Sequence, residues 1–282
     1  MWAPASASEA GPTASDGAEA IRVHPRAALV VGRYLALVDA ALPGLVTGMH
    51  LVGSAVLDDF QPGVSDVNFV AVISEGLTED VSGKLDEVHR RLASKHPACL
   101  MDGVYVDLAA LEGPAAWATG GPHVRAGAFS PNGTHGRRVA DRHALATSGE
   151  ALRGSTIAAL ALRSDVCALD ADIAERAGDA LARALVPVAT PETVSNLVLE
   201  VARLHYALVT GKPSSKSKAA LYGLIAFPSS YRRVLDESLR VRRNTGAASS
   251  YDDLRGYSED AFEFAGMAAE DIRDLATVTG RR

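Results

Sequence analysis

The sequence predicts an α/β (α+β) protein in which an N-terminal sheet domain precedes a C-terminal bundle of helices. Short β-branched runs alternate with amphipathic helical patterns up to about Leu108, as expected for a sheet covered by helices. Beyond Gly154 nearly every segment has helical periodicity instead. The 282 residues, of which 48% are hydrophobic, are enough for one large unit or two modest ones.

The first twenty residues are typical of a disordered leader rather than of a binding tail. They contain no Lys or Arg and consist mostly of Ala, Ser, Gly, Pro and acidic residues, so they lack the basic start and apolar run of a secretory signal. The sequence also lacks the roughly 20 uninterrupted apolar residues of a membrane span. We therefore expect a disordered leader over 1–20 and a cytoplasmic protein without a membrane partner.

Residues 21–150 are predicted to form the sheet domain. An amphipathic pattern predicts a first helix from Arg26 to Leu42, which Pro43 and Gly44 end. A second helix, around Leu85, follows the second of three predicted strands, which span 48–52, 66–73 and 103–108. Residues 113–150 have little periodicity and are interpreted as a loop-rich connection.

Residues 151–282 are predicted to form the helical domain. The clearest helix begins at Thr190 and Pro191, a capping residue followed by a proline in the first turn, and Gly211 ends it. Six helices are predicted, over 157–169, 170–185, 192–209, 217–227, 231–243 and 260–277.

Charge and cysteine content exclude several classes of protein. The formal net charge of -6 leaves no general basic field for a nucleic-acid backbone, so we expect no nucleic-acid partner. The basic run 240–243 is interpreted either as a solvated helix face or as a charge complement to the C-terminus of a helix. Only two cysteines are present, which is typical neither of a disulfide framework nor of a zinc site. The sequence gives no prediction of oligomeric state.

The first chemical motif pairs a Gly-Ser turn with two polar strand residues. Gly53 and Ser54 are followed, after eleven residues, by Asp66 and Asn68. Alternate side chains of a strand share one face, so the last two could hold one Mg²⁺ while the turn presents amides and a hydroxyl to phosphate. This pattern predicts a nucleoside triphosphate site. The alternative is that Asp66 caps a turn and Asn68 is a polar residue at the edge of a strand.

The stretch from His50 to Val72, HLVGSAVLDDFQPGVSDVNFVAV, resembles the nucleotidyltransferase superfamily, and more narrowly the streptomycin/spectinomycin adenylyltransferases. In that family two acids at the positions of Asp66 and Asn68 bind the magnesium carried by ATP. The resemblance thus implies ATP and Mg²⁺ as ligands, although Asn68 brings no negative charge and should weaken metal binding. It also implies phosphate contacts from Gly53, Ser54 and Ser65.

The family places a third carboxylate, the general base, on the next strand. By alignment this position falls on Tyr105, a phenol that is a poor base at neutral pH. Asp107 lies two residues further, on the same strand face, and is expected either to replace the base or to be structural.

The second chemical motif joins two helices of the C-terminal half. Lys216 and Lys218 would lie in a helical first turn, where cations oppose the helix dipole unless an anion is bound. The physical argument alone leaves open whether a phosphate binds there or both lysines turn into water. The stretch NLVLEVARLHYALVTGKPSSK resembles the helical domain of the same adenylyltransferases, which implies nucleotide contacts from Asn196, Arg203 and Lys216.

The resemblance does not extend to recognition of an aminoglycoside. Two family carboxylates that meet the cationic drug correspond here to Ala189 and Thr193, and a common tryptophan corresponds to Arg142. Trp117 is expected either to contact the acceptor or to belong to the core. We therefore expect an adenylyltransferase that uses some small-molecule hydroxyl as acceptor, with an impaired nucleotide-binding sensor or partner protein as the alternative.

Overall fold

The computed structural model describes residues 23–163, 165–184 and 190–279, so the expected leader over 1–20 lies outside the described residues. The first half is a sheet with helices on both faces, which confirms the predicted fold class. In chain order its elements are α1 (Pro25–Ala41), β1 (Val46–Val52), β2 (Val67–Ile73), α2 (Glu79–Lys95), β3 (Met101–Val106), α3 (Leu108–Glu112), α4 (Pro114–Ala118), β4 (His123–Arg125), β5 (Ala128–Ser130), α5 (Val139–Ser148) and β6 (Glu150–Arg153).

The six strands pair in the order β5-β4-β3-β2-β1-β6. Only β2 and β3 pair in parallel, and their register places Asn68 beside Asp102. Strand β6 carries the sheet to Arg153, slightly past the division expected at residue 150. The expected loop-rich connection over 113–150 contains two short strands and two helices instead. Those elements are too short for a periodic pattern to reveal them.

The two faces of the sheet pack against different helices. On one face Phe69 and Tyr105 pack beneath α1 and α2. On the other, Val70 and Val104 pack with residues of α3, α4 and α5, and Trp117 is buried there with its indole N–H donating to the Arg138 carbonyl at 3.1 Å. Because strand residues alternate between faces, Asn68 and Asp102 belong to this second face.

Tyr105 belongs to the core beneath α1 and α2. Its hydroxyl lies 2.6 Å from the Tyr34 hydroxyl and 2.6 Å from Nε2 of His89. Burial lowers the pKa of His89 to about 3, so this imidazole is neutral at physiological pH. Burial raises the pKa of Tyr105 well above its ordinary value. The hydroxyl at the position expected for the base is therefore locked inside the sheet domain.

The second half is a bundle arranged around one central helix, which packs against four others. Helix α6 (Ile157–Leu160) still packs against the second face of the sheet. The bundle elements are α7 (Val166–Ala184), α8 (Pro191–Thr210), α9 (Lys216–Ala226), α10 (Arg232–Arg243) and α11 (Leu254–Thr279), and α8 is central. The predicted helix over 157–169 is divided, because Ala161 adopts a left-handed conformation. Within the described part of the chain, every helix is too short or too polar to cross a bilayer.

Gly103 lets β3 lie against β2 at close range, so we expect Gly103→Ala to destabilise the fold. A Cβ at this position would lie only 2.0 Å from the carbonyl oxygen of Phe69, a backbone atom that cannot move away. We expect the free energy of unfolding to fall by about 3 kcal/mol, measured by urea denaturation. Gly32→Ala is the control, since nothing lies within 4 Å there and alanine favours helix α1. Equal stability of the two variants would contradict this account.

Candidate functional site

A cavity of about 230 Å³ lies between the sheet and the bundle. Most of the residues predicted from the two motifs line it together, although they are far apart in sequence. The sheet half contributes Gly53, Ser54, Ser65, Asp66 and Asn68, and the bundle contributes Arg203 and Lys216. The structure thus brings the two predicted motifs to opposite walls of one space.

The Gly-Ser motif forms a single tight turn at the end of β1. Residues Gly53–Ala55 make one turn of 3-10 helix, and Gly53 has a φ of +70°, which favours glycine. A Cβ on Gly53 would lie 3.0 Å from Oδ1 of Asn68. The turn and the Asn68 amide are therefore packed directly against each other at the cavity wall.

Three oxygen-bearing side chains lie on the second face of the sheet, next to the Gly-Ser turn. Asp66 lies immediately before β2, Asn68 lies on it, and Asp102 is the register partner of Asn68 on β3. Burial and the negative charge of Asp102 raise the pKa of Asp66, while Lys216 lowers it. The two carboxylates are therefore close enough to repel each other.

Asp102 is a functional candidate that sequence reasoning missed. A carboxylate can only accept hydrogen bonds, so Nε2 of His135 donates to its Oδ1 at 2.7 Å. The backbone N–H of Ala126 donates to its Oδ2 at 3.1 Å. Asp102 is the second residue of β3 and lies one residue before the predicted start of that strand at Gly103, so the predicted strand did not include it.

The expected alternatives to this base lie elsewhere. Asp107 is five residues beyond Asp102, roughly 16 Å along an extended strand. Its Oδ1 accepts a hydrogen bond from the Ala110 N–H at 2.7 Å and caps α3. It lines a different cavity, together with His50. Tyr105 is therefore in the core, and Asp107 caps α3 at the other end of β3 from Asp102, which is the structural role given as the alternative for Asp107.

The basic wall of the cavity comes from α8 and the start of α9. Lys216 Nζ donates to Oδ1 of Asn196 at 2.5 Å, and Nε of Arg203 donates to the Ser214 carbonyl at 2.9 Å. Burial, and then the charges of Arg203 and Arg242, lower the pKa of Lys216 to about 8. An anion in the cavity would relieve this repulsion.

Lys218, the other lysine of the first turn, does not line the cavity. Its ammonium lies 5.1 Å from the centre of the Tyr206 ring, and the side chain is exposed. Ser215 caps the helix by accepting from the Lys218 N–H. Of the two lysines in this turn, only Lys216 is available to an anion in the cavity.

Asp59 and Arg242 connect the two halves beside the cavity. Asp59 accepts hydrogen bonds from the N–H and the hydroxyl of Ser217, at 3.2 and 2.6 Å. Arg242 Nη2 donates to the Asp59 carbonyl at 3.0 Å and to Ser65 Oγ at 3.1 Å, and both charged residues are buried. Arg242 also lines the cavity. The basic run 240–243 had suggested a solvated face, but Arg242 is buried.

A second cavity of about 570 Å³ adjoins the first and shares three of its lining residues, Gly53, Asn68 and Arg203. Asp102 and His135 line this larger cavity. Trp117 also contributes to its wall, although the indole is buried with the core of the second sheet face. Asn68 thus lies at the junction of the smaller basic cavity with the larger one, and Asp102, its register partner, lies beside it on the wall of the larger cavity.

The oxygen donors at this junction suit a hard divalent cation. Asp66 and Asn68 offer a carboxylate oxygen and an amide oxygen, which are ligands that Mg²⁺ accepts. A cation would also remove the repulsion that raises the pKa of Asp66. Within the described ranges no three His, Cys, Asp or Glu side chains form a metal-binding group, so the amide oxygen of Asn68 is needed beside the Asp66 carboxylate.

Comparison with known proteins adds independent information about both halves. Residues 162–270 match the model of the aminoglycoside adenylyltransferase C-terminal domain. The crystal structure of spectinomycin adenyltransferase AAD(9) from Enterococcus faecialis, with ATP and spectinomycin, superposes with a TM-score of 0.66. The match covers 84% of this chain and 98% of that chain. The chain is similar to the aminoglycoside adenylyltransferases.

The similarity to these adenylyltransferases lies in the fold far more than in the sequence. Identity to the spectinomycin enzyme is 13%, a level that establishes the fold alone. No curated protein matches the chain in sequence. The resemblance inferred from the two motifs is nevertheless confirmed, because the C-terminal family model and the structural match agree with it.

Removing the charge of Asp59 should weaken the joint between the two halves. In Asp59→Asn the guanidinium of Arg242 remains buried without its carboxylate, and we expect the free energy of unfolding to fall by about 3 kcal/mol. Urea denaturation measures the change. Asp58→Asn is a matched control, because Asp58 is exposed and asparagine tolerates its left-handed backbone. A similar loss in both variants would show that the buried pair has no special role.

Proposed function

We propose that this chain transfers the AMP moiety of ATP to a hydroxyl group of a small molecule. The observation that carries the proposal is the arrangement of one cavity, in which Asp66 and Asn68 face Lys216 and Arg203 from the other half of the chain. A triphosphate with its metal requires oxygen ligands for the metal on one side and positively charged side chains for the phosphates on the other, and the two walls of this cavity supply them.

The basic wall is proposed to bind the triphosphate. Lys216, Arg203 and Arg242 supply positive charge, and Ser54 and Ser65 supply hydroxyl groups. Asn196 acts on the phosphate indirectly, since its amide oxygen holds Nζ of Lys216. Mg²⁺, held by Asp66 and Asn68, would supply neutralisation of the phosphate charge.

Asp102 is proposed to be the general base. The acceptor hydroxyl loses its proton to this carboxylate as the oxygen attacks the α-phosphorus of ATP in line, and the bond to the β-phosphate oxygen breaks to release pyrophosphate. His135 and the Ala126 N–H hold the two carboxylate oxygens in place. Because Asp102 lines the larger cavity, the acceptor is proposed to bind there.

A second candidate function is nucleotide binding without transfer, in a sensor or partner-binding protein. Asn68 favours it, because an amide in place of the family's second acid brings less charge to the metal. Asp102 favours the enzyme. The family's base position is occupied by Tyr105, but Asp102, three residues earlier and on the opposite face of the sheet, offers a carboxylate that could act as the base.

Replacement of the base should separate chemistry from binding. We expect Asp102→Asn to reduce pyrophosphate release about 100- to 10,000-fold while the affinity for Mg-ATP changes little. Asp107→Asn should retain both, because asparagine also caps α3. Loss of activity in Asp107→Asn alone would refute the assignment. Tight Mg-ATP binding by a wild type that releases no pyrophosphate with a broad panel of hydroxyl compounds would favour the second function.

Lys216 should take up a proton when ATP binds near pH 8. Its pKa of about 8 leaves it roughly half neutral there, and the phosphates would raise that pKa again. We expect uptake of about half a proton per ATP at pH 8, and almost none from this group at pH 6, where it is already charged. Calorimetry in buffers of different ionisation enthalpy measures the uptake. Lys216→Met should abolish it, and the exposed Lys84→Met should not. Unchanged uptake in Lys216→Met would contradict the assignment.

A further inference from the structure

The larger cavity is lined by more guanidinium groups than carboxylates. Three acidic side chains, Asp102, Asp141 and Glu200, face five arginines: Arg125, Arg138, Arg176, Arg183 and Arg203. Because this is where the proposed acceptor would bind, the partners of each charged group determine which acceptors the cavity suits.

Each of the three carboxylates already has a positive or N–H partner. Asp102 is held by His135 and a backbone N–H, as described above. Asp141 accepts from the backbone N–H of Arg138 at 3.0 Å and from the guanidinium of Arg176 at 3.3 Å. Glu200 accepts from Arg183 at 3.2 Å and lies 3.8 Å from Arg176. A polycation would therefore have to displace arginines to reach a carboxylate.

The arginines are less completely compensated. Arg138 pairs with three carboxylates of α7 that do not line the cavity, namely Asp172, Glu175 and Asp179. Arg125 is exposed, and although its backbone pairs with Ala128, its guanidinium has no hydrogen-bond or ion-pair partner in the described part of the chain. Arg176 pairs with Asp141 and shares Glu200 with Arg183, for which Glu200 is the one carboxylate partner among the described residues.

Arg203 adds positive charge where the two cavities meet. Its guanidinium donates through Nε to a neutral carbonyl, that of Ser214. Burial, and then the charge of Arg176, lower its pKa. This crowding of guanidinium groups disfavours a further cation and favours an anion.

The position expected to carry an acid for drug binding has another role. The hydroxyl of Thr193 accepts from the Thr190 N–H at 2.8 Å and caps the start of α8. It contributes no negative charge. Ala189, the other such position, lies outside the described residues.

We propose that the acceptor is a hydroxyl compound carrying a phosphate or carboxylate group, bound through Arg125 with Arg176 and Arg183. This inference rests on the proposed transfer reaction and names its substrate class. Planar guanidinium groups bind both kinds of anion through paired N–H donors. The anionic group stays unchanged in the reaction, and the hydroxyl of the same molecule receives AMP while Asp102 receives its proton.

The test uses the full chain, saturated with Mg²⁺ and an ATP analogue whose α,β bridge is a methylene group. Calorimetry then compares inorganic phosphate, glucose 6-phosphate, 3-phosphoglycerate and gluconate with the neutral compounds glucose and glycerol, and with spectinomycin as the cation. We expect at least one anion to bind tenfold or more tightly than every neutral compound and than spectinomycin. Arg125→Gln should weaken that binding at least fivefold, whereas the exposed Arg33→Gln should not change it.

The outcomes distinguish this inference from the proposed function. If the ATP analogue itself does not bind, the proposed function fails. If the analogue binds but no anion does, or spectinomycin binds more tightly than all of them, only the anionic acceptor is overturned. Anion binding that is unchanged in Arg125→Gln and in the double variant Arg176→Gln with Arg183→Gln also overturns it, because the site would then lie elsewhere.

Discussion

The buried contact of Asp59 with Arg242 and Ser217 is the interaction on which the candidate site depends. Asp59 follows the Gly-Ser turn of the sheet half, and its partners lie on the first turn of α9 and the last turn of α10. A buried ion pair is costly to break, because each charge left alone lacks solvation. The pair therefore fixes the distance between the two walls of the cavity. The separation of the other lining residues of the sheet half from those of the bundle depends on that distance.

Local sequence pattern was sufficient to locate the turn, the strand and the helix ends that carry the two motifs. The Gly-Ser turn requires a left-handed glycine at position 53, and Asp66 precedes a strand whose β-branched run is easy to recognise. The helix before Lys216 carries a capping threonine and a proline at its start and a glycine at its end. Each of these features is determined by residues that are adjacent in the sequence, so it can be predicted from the sequence alone.

The residues that the sequence did not reveal depend on contacts between distant segments. Asp102 became visible only through the parallel register of β3 with β2, because its own strand begins two residues earlier than its composition suggests. Arg242 sits in a short basic run that is typical of a solvated face, and only the packing of α10 against the sheet half buries it. Asp107 has the right residue type, but strand length places it at the far end.

The hydrogen-bonded chain of Tyr34, Tyr105 and His89 has a consequence for mechanical alignment. It ties α1, β3 and α2 together through two short contacts inside an otherwise apolar layer. If either helix shifted by one turn, these buried polar atoms would lose their hydrogen-bond partners in apolar surroundings. The three hydrogen-bonded side chains therefore fix the position of β3 relative to both helices. Asp102 projects from the opposite face of the same strand. The buried side chains of Tyr34, Tyr105 and His89 therefore help to orient the Asp102 carboxylate in the larger cavity.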